Sequence, residues 1–240
     1  MKIALIGYGK MGKAIEEIAI QRGHEVILKI TSANRSDLNV ATLSRADVAI
    51  EFTGPQAAWA NVHDCLIAGV NVVSGSTGWN DHLAEAGTVA KAQDRGFLHA
   101  SNFSVGVNIF FEINKLLATL MNGRTEYAVK VEETHHIHKK DAPGGTAITI
   151  AEQIIAQLRE KQSWRLGGED TTDILPVYAH RVGEVPGTHT VSYSSPIDTI
   201  DITHTAHSRK GFAQGAVLAA EFLAGKTGVF SMKDVLGILV

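Results

Sequence analysis

Residues 3–6, Ile-Ala-Leu-Ile, are apolar without a break, the pattern of a strand covered on both faces of a parallel sheet. Gly7-Tyr8-Gly9-Lys10-Met11-Gly12 follows at once. After it Met11, Ile15, Ile18 and Ala19 recur at the three-to-four spacing of an amphipathic helix, with Gly23 placed to end that helix in a left-handed cap. The unit then repeats. Strands are expected over 26–30, 46–53, 71–74 and 97–100, with helices over 56–68 and 83–94 and turns at Gly54-Pro55 and Gly75-Ser76-Thr77-Gly78. Strands alternating with helices of this length predict a doubly wound parallel sheet.

From Gly106 the texture changes. A strongly apolar helix is expected over 107–121, carrying Ile109, Phe110, Ile113, Leu116, Leu117 and Leu120. Strands are expected over 127–133, 178–182, 189–194 and 199–205, and one further helix over 146–161. In the last strand Ile200 and Ile202 alternate with Thr199, Asp201 and Thr203. The economical arrangement is a mixed open sheet under two helices, with one face left for another subunit. Helical patterns return over 211–224 and 231–239 and are expected to pack back on the first domain. The fold class is therefore α/β: a Rossmann-type dinucleotide-binding domain over 1–103, completed by 209–240, and a smaller α+β substrate and oligomerisation domain over 104–208.

Composition narrows the function. A chain of 240 residues that is 45% hydrophobic can support two modest cores. A net charge of -3 argues against a broad nucleic-acid surface. The single cysteine, Cys65, excludes an internal disulfide and any multi-thiolate metal site; it falls in an expected helix, where packing is its simplest role. The first residues run straight into a strand and show no signal-peptide pattern, and no stretch of about 18 apolar residues occurs. A soluble, cytoplasmic protein without a membrane partner is expected.

Two segments carry chemistry. In the first glycine turn, Gly7 permits the tight bend, Gly9 lets a pyrophosphate approach the backbone and Gly12 lets the helix lie close to the strand. Tyr8, Lys10 and Met11 complete this cofactor-binding turn. The acidic residue that would hold a ribose diol is missing after the second strand, which reads Lys29-Ile30-Thr31-Ser32-Ala33-Asn34-Arg35. Hydroxyls and Arg35, with Lys29 close by, suit a 2′-phosphate better, so Thr31 and Arg35 point to NADPH, with NADH as a usable second cofactor. Strand carboxyl ends supply Phe52, Thr53, Gly75, Ser76 and Thr77 as borders of the nicotinamide, and Ala100, Ser101, Asn102 and Phe103 as further cofactor contacts.

The second segment, Glu133 to Ala147, packs His135, His136, His138, Lys139 and Lys140 into six residues ahead of Gly144-Gly145-Thr146. Like charges so close repel unless an anion neutralises them, so the segment reads as a receptor for a polyanionic small molecule; a solvated basic loop is the plainer alternative. A zinc site of His135, His136 and His138 is disfavoured, because neighbours on extended backbone face opposite ways and Lys139 and Lys140 repel a divalent ion. No metal is expected. His138 reads as solvated or as a neighbour of the site, His204 and His207 as packing or site residues, and Arg209 as a contact for a phosphate or carboxylate.

The pattern Glu133-x-His135-His136-x-x-Lys139-x-Asp141-Ala142-Pro143-x-Gly145-Thr146-Ala147 resembles the signature of the dihydrodipicolinate reductases. The resemblance extends through Gly7 to Gly12, Phe52-Thr53, Gly75 to Gly78, Asn102 to Val107, Arg181-x-Gly183 with His189-Thr190, and His204-x-Ala206-x-Ser208-Arg209 with Phe212-Ala213-x-Gly215-Ala216, nearly the whole chain. It implies NAD(P)H-dependent reduction of 4-hydroxy-tetrahydrodipicolinate to tetrahydrodipicolinate on the route to diaminopimelate and lysine. By position in the motif, His135 is the proton donor. Lys139 holds the substrate and stabilises developing negative charge, oriented by Asp141, while His136 meets one carboxylate and Gly145 and Thr146 the other. A homotetramer built through the second-domain sheet is implied as well. Two departures stand out: Gly144 replaces the usual serine, and the region after Thr31 is short and lacks the family's usual acidic residue. Another two-domain dehydrogenase and a non-catalytic nucleotide sensor are the competing readings.

Overall fold

The computed structural model describes residues 1–208 and 210–238. Arg209, Leu239 and Val240 lie outside the described residues, and with them the reading of Arg209 as an anion contact and the end of the helix expected over 231–239. The chain forms two compact units, one from Met1–Val105 together with the chain from Lys210 onward, the other beginning at Gly106 and ending at that return.

The first unit runs β1 (Lys2–Ile6), α1 (Lys10–Gln21), β2 (Glu25–Ile30), a 3-10 segment (Ser32–Asp37), α2 (Val40–Leu43), β3 (Val48–Glu51), α3 (Pro55–Ile67), β4 (Asn71–Ser74), α4 (Leu83–Ala92) and β5 (Gly96–His99). The second runs α5 (Val105–Met121), β6 (Ala128–His135), α6 (Gly145–Gln157), β7 (Ser163–Leu166), β8 (Ile174–Arg181), β9 (Gly187–Ser194) and β10 (Thr199–Ala206). The return adds α7 (Lys210–Leu223), β11 (Gly228–Phe230) and α8 (Met232–Leu236) to the first unit. No helix among the described residues is long and apolar enough to cross a membrane.

The first sheet is parallel and six-stranded, ordered β11-β5-β4-β3-β1-β2. Its strands are apolar on both faces for a visible reason. Ile3, Leu5, Val48, Ile50, Val73 and Leu98 enter the core beside α1, α7 and α8, whereas Ala4, Ile6, Ala49, Val72 and Phe97 enter the core beside α3 and α4. The uninterrupted apolar runs read from the sequence are thus two interleaved alternations. Asn71 locks the return in place: its side-chain amide donates to the Leu223 and Lys226 carbonyls (2.7 and 3.1 Å) and accepts from the Gly96 N–H (2.9 Å).

The second sheet, ordered β10-β9-β6-β8-β7, is mixed. Its inward row includes Val129, Val131, Val177, Val191 and Tyr193, packed with Phe110, Ala118, Ile150 and Ile154 of α5 and α6. The opposite row of β6 and β9 is polar: Lys130, Glu132, Thr190 and Ser192. Two strands escaped the pattern. β7, Ser-Trp-Arg-Leu, is a mostly exposed edge strand, and β11 has only three residues. The helix expected over 146–161 stops at Gln157, where Leu158 takes extended backbone (φ -86°, ψ 112°); beyond it the buried Lys161 pairs with Asp170 at 2.8 Å.

Candidate active site

In the first unit the glycine turn divides its labour as the spacing predicts. Gly7 has φ +95° and a Cβ on it would lie 2.1 Å from the Phe52 carbonyl oxygen, while a Cβ on Gly12 would lie 2.5 Å from the Gly7 oxygen. Both are demanded by packing. Gly9 has nothing within 4 Å of where a Cβ would be, and as N-cap of α1 it makes no side-chain capping bond. The backbone there is open to a ligand at the positive end of a helix.

Two cavities flank this turn. One of about 480 Å³ is bordered by Gly9, Lys10, Met11, Phe52, Thr53, Gly75, Ser76 and Thr77. The other, about 360 Å³, is bordered by Gly7, Ile30, Thr31, Ser32, Arg35 and Thr53 among others. Eleven of the residues read from sequence as cofactor-binding therefore border one or the other. Tyr8, Gly12, Ala100, Ser101, Asn102 and Phe103 lie outside both linings. Phe103 is buried at 2% exposure with its ring 5.6 Å from that of Phe52. Tyr8 donates to Glu16, and the Lys29 ammonium lies 5.0 Å from the Tyr8 ring centroid. Lys29 is itself paired with Glu16 at 2.5 Å, so of the two cations expected near a 2′-phosphate, Arg35 is the one that borders a cavity. Asp64 holds the Arg35 guanidinium at 2.6 Å. Thr31 caps the 3-10 segment, accepting from the Ala33 N–H and donating to Asn34.

The sequence reading missed Glu51. It ends β3 fully buried and accepts from Ser74 Oγ (2.6 Å), Ser76 Oγ (2.7 Å) and the Thr53 N–H (2.8 Å), as well as the Thr53 hydroxyl. One carboxylate thus gathers the two loops that border the larger cavity. A glutamate closing an otherwise apolar strand, opposite hydroxyls at neighbouring strand ends, was the available signal.

In the second unit alternation places the chemistry. The period of two that sends Val129 and Val131 inward sends Glu133 and His135 inward next. Register then sets His189 opposite Glu133, His204 opposite His189, and Arg181 beside His135. Glu133 is fully buried. Its Oε1 accepts from the Gly144 N–H at 3.0 Å and from Arg181 Nη2 at 3.1 Å. Its Oε2 lies 3.3 Å from His135 Nδ1, within ion-pair reach though not aligned as a hydrogen bond, and 3.8 Å from His189 Nε2. Burial pushes this carboxyl up, but His135, the Gly144 N–H and Arg181 outweigh it and hold it at about 2. His189 is driven the other way, down to about 4, chiefly by burial and then by the nearby His135. It is neutral at pH 7.

The Lys139 ammonium is half-buried and meets Asp141 Oδ2 at 2.7 Å, the pairing read from the motif. Arg181 also donates to the Lys139 and Asp141 carbonyls, so one guanidinium ties the basic loop to Glu133. Gly145 and Thr146 are the first residues of α6. His136 follows the strand, its ring 6.2 Å from that of His138, which is exposed and 3.5 Å from Glu184. The groups that converge are Glu133, His135 and His189, whose ligand atoms lie within 4.8 Å of one another; this is a different set from His135, His136 and His138. A divalent ion could reach these three, against Arg181 on the same carboxylate. His204 lies at the inward row, 6.2 Å from the Phe110 ring, and its basicity is lowered by burial. Cys65 is buried in α3, where burial pushes its thiol up, and it takes no part in either site.

Two family descriptions match the chain, dihydrodipicolinate reductase N-terminus over residues 1–103 and C-terminus over residues 106–236. A 4-hydroxy-tetrahydrodipicolinate reductase from Christiangramia forsetii is 51% identical over 240 residues, covering 100% of this chain and 99% of the relative. One from Neisseria gonorrhoeae is 37% identical over 230 residues, covering 93% and 84%. Among solved structures, a dipicolinate-bound dihydrodipicolinate reductase from Paenisporosarcina sp. superimposes with a TM-score of 0.80 at 20% identity, over 100% and 99% of the two chains. An amine dehydrogenase from Mycobacterium smegmatis gives 0.66 at 11% identity, over 98% and 95%. With a glycine-turn nucleotide site in one unit, a buried carboxylate–imidazole cluster in the other, and both halves matched, the chain belongs to the dihydrodipicolinate reductase family.

Proposed function

We propose that this protein reduces 4-hydroxy-tetrahydrodipicolinate to tetrahydrodipicolinate with a nicotinamide dinucleotide, in the cytoplasm, as a step towards diaminopimelate and lysine. The observation that carries the reading is the cluster of buried Glu133 and His189 with half-buried His135 and Arg181, whose members fall within the family's motifs and whose register on three strands no packing need explains. The open backbone at Gly9 and the two cavities fit the dinucleotide, held by Gly7 to Gly12, Phe52, Thr53 and Gly75 to Thr77. When bound, the cofactor supplies a hydride.

The remaining tasks fall to side chains of this chain. Once the 4-hydroxyl has left as water the ring carries a conjugated C=N, whose reduction requires, besides the hydride, a proton at the neighbouring carbon, and His135 is the group to supply it. Lys139, aimed by Asp141, binds the anionic substrate and offsets negative charge as the bond order changes. His136 takes one carboxylate and the Gly145 and Thr146 end of α6 the other. The site residues assigned from sequence stand on this reading, as do the division into a nucleotide domain and a substrate domain and a homotetramer built through the second sheet.

NADPH is the preferred cofactor on this reading, because Arg35 borders the smaller cavity while the residues directly after β2, Thr31 to Arg35, hold no carboxylate to bind a ribose diol. The test is NADPH and NADH oxidation followed by absorbance, with the substrate generated in place by a synthase from pyruvate and aspartate semialdehyde. Synthase-dependent oxidation, faster with NADPH, is expected. Intact nucleotide binding without oxidation would overturn the reductase reading in favour of a nucleotide sensor.

A further inference from the structure

We propose that Glu133 is the positioning residue of the proton transfer: its carboxylate fixes His135 with the proton on Nδ1, leaving Nε2 as the atom that delivers. This rests on the reading of His135 as the donor. A carboxylate with 0% exposure that is held by two partners through one oxygen cannot turn away. Oε1 is committed to Arg181 and the Gly144 N–H, which leaves Oε2 facing His135 Nδ1 at 3.3 Å.

An ionised carboxylate only accepts hydrogen bonds, so the imidazole nitrogen that faces it must carry hydrogen. The imidazolium therefore loses the Nε2 proton. The N–H bond breaks and its electron pair stays on Nε2; the proton takes the electron pair of the carbon–carbon double bond that hydride addition leaves in the substrate's conjugated system to form the new C–H bond, and the neutral ring remains the Nδ1–H tautomer against Glu133. Solvent restores the proton. Alignment of such bonds commonly improves when substrate binds.

The surroundings agree with this assignment. A Cβ on Gly187, whose φ is +155°, would lie 3.1 Å from His135 Nε2, so the residue opposite the delivering nitrogen is one that has no side chain. His189, edge-on to His135 with ring centroids 5.1 Å apart, is the other imidazole within reach of Oε2. It is buried and neutral and leaves the carboxylate's charge to His135. The charged or titratable groups around the pair are Arg181 on β8, His189 on β9, His204 on β10, and Lys139 and Asp141 in the loop before α6.

The experiment combines kinetics with nitrogen-15 imidazole spectra of the full-length protein, wild type against Glu133→Gln and Glu133→Asp. Glu133→Gln is expected to lower kcat about 10- to 100-fold, to move the alkaline limb of the kcat profile to lower pH, and to leave the KM for NADPH unchanged. Glu133→Asp, which keeps the charge, should restore the limb and part of kcat. Neutral His135 should appear as the Nδ1–H tautomer in wild type and as a mixture in Glu133→Gln. A folded Glu133→Gln protein that keeps both limb and tautomer overturns the proposal, whatever its kcat. If that variant does not fold, the wild-type spectrum decides alone, since an Nε2–H tautomer overturns the assignment. If wild type turns over no substrate, the reductase reading fails, while the spectra still judge the Glu133–His135 pairing.

Discussion

Each sheet buries one glutamate near the carboxyl end of a strand, and the two are held by opposite kinds of partner. Glu51 is surrounded by hydroxyls and a backbone N–H. Glu133 is surrounded by a guanidinium, two imidazoles and a backbone N–H. Neutral donors satisfy a buried carboxylate and fix the segments that supply them. Cationic and titratable partners add a proton that can move and a charge that attracts anions. Burial alone does not distinguish a brace from a reaction centre; the titration state of what surrounds the carboxylate does.

The largest expected effect separates the two centres by chemistry. His135→Gln should lower kcat by roughly 10²- to 10⁴-fold, the range of a general-acid contribution, with melting temperature and nucleotide binding retained. Normal turnover in that variant would remove His135 from the donor role and make the second glutamate a brace like the first.

Acid should separate them by stability. His189 falls from an ordinary 6.5 to about 4 in the fold, so the unfolded chain takes up a proton that the folded chain refuses once the pH drops below 6.5. Glu133, at about 2 instead of 4.5, adds the same sign below pH 4.5. By pH 4 the histidine alone should destabilise the second sheet by about 3 kcal/mol. Hydrogen exchange, corrected for intrinsic rates, is expected to show β6 and β9 losing protection between pH 6.5 and 4 while β3 and β4 keep theirs. Equal losses in both sheets would contradict the comparison.

Smaller changes probe the first centre. Glu51→Gln should cost about 1–2 kcal/mol in urea unfolding, because an amide cannot accept from all the donors the carboxylate serves, and should weaken NADPH binding without moving the pH profile of kcat. A shifted profile would make Glu51 more than a brace. Thr31→Asp keeps an N-cap side chain but sets a carboxylate beside Arg35. It should move the NADPH/NADH ratio of kcat/KM roughly tenfold towards NADH, the size of an interaction worth about 1.4 kcal/mol. An unchanged ratio would place the adenosine ribose elsewhere.

What the sequence made legible was local. The apolar run of β1, the glycine turn and the helix behind it are set by neighbours within a few positions, and they appear where the pattern puts them. The basic motif was equally plain, and Lys139 does pair with Asp141. The role of Glu133 was half-legible: alternation from Val129 already points it inward, but its partners Arg181 and His189 arrive through strand register from 48 residues away and more. Lys29 looked available for a phosphate because nothing local shows that Glu16, on the preceding helix, is its partner. β7 and β11 were invisible since an exposed edge strand and a three-residue strand carry almost no periodicity.

Gly144 is the position where this chain departs from its family's usual serine, and there a Cβ would come within 2.8 Å of Lys139 Cε and 2.9 Å of Glu133 Oε2. Restoring the serine should press on the movable end of Lys139 rather than on the fixed carboxylate, so Gly144→Ser is expected to change the substrate KM a few-fold with kcat nearly kept. A change in kcat alone would mean that the glutamate gives way first.

The stapling of Leu223 and Lys226 to β4 through Asn71 also orders events in time. On the ribosome, β6 to β10 form one continuous stretch, whereas β5 is denied its neighbour β11 until more than a hundred later residues have been made. The unit begun first is finished last, and until then it carries a bare sheet edge that a holding chaperone, or a second nascent chain, can pair with.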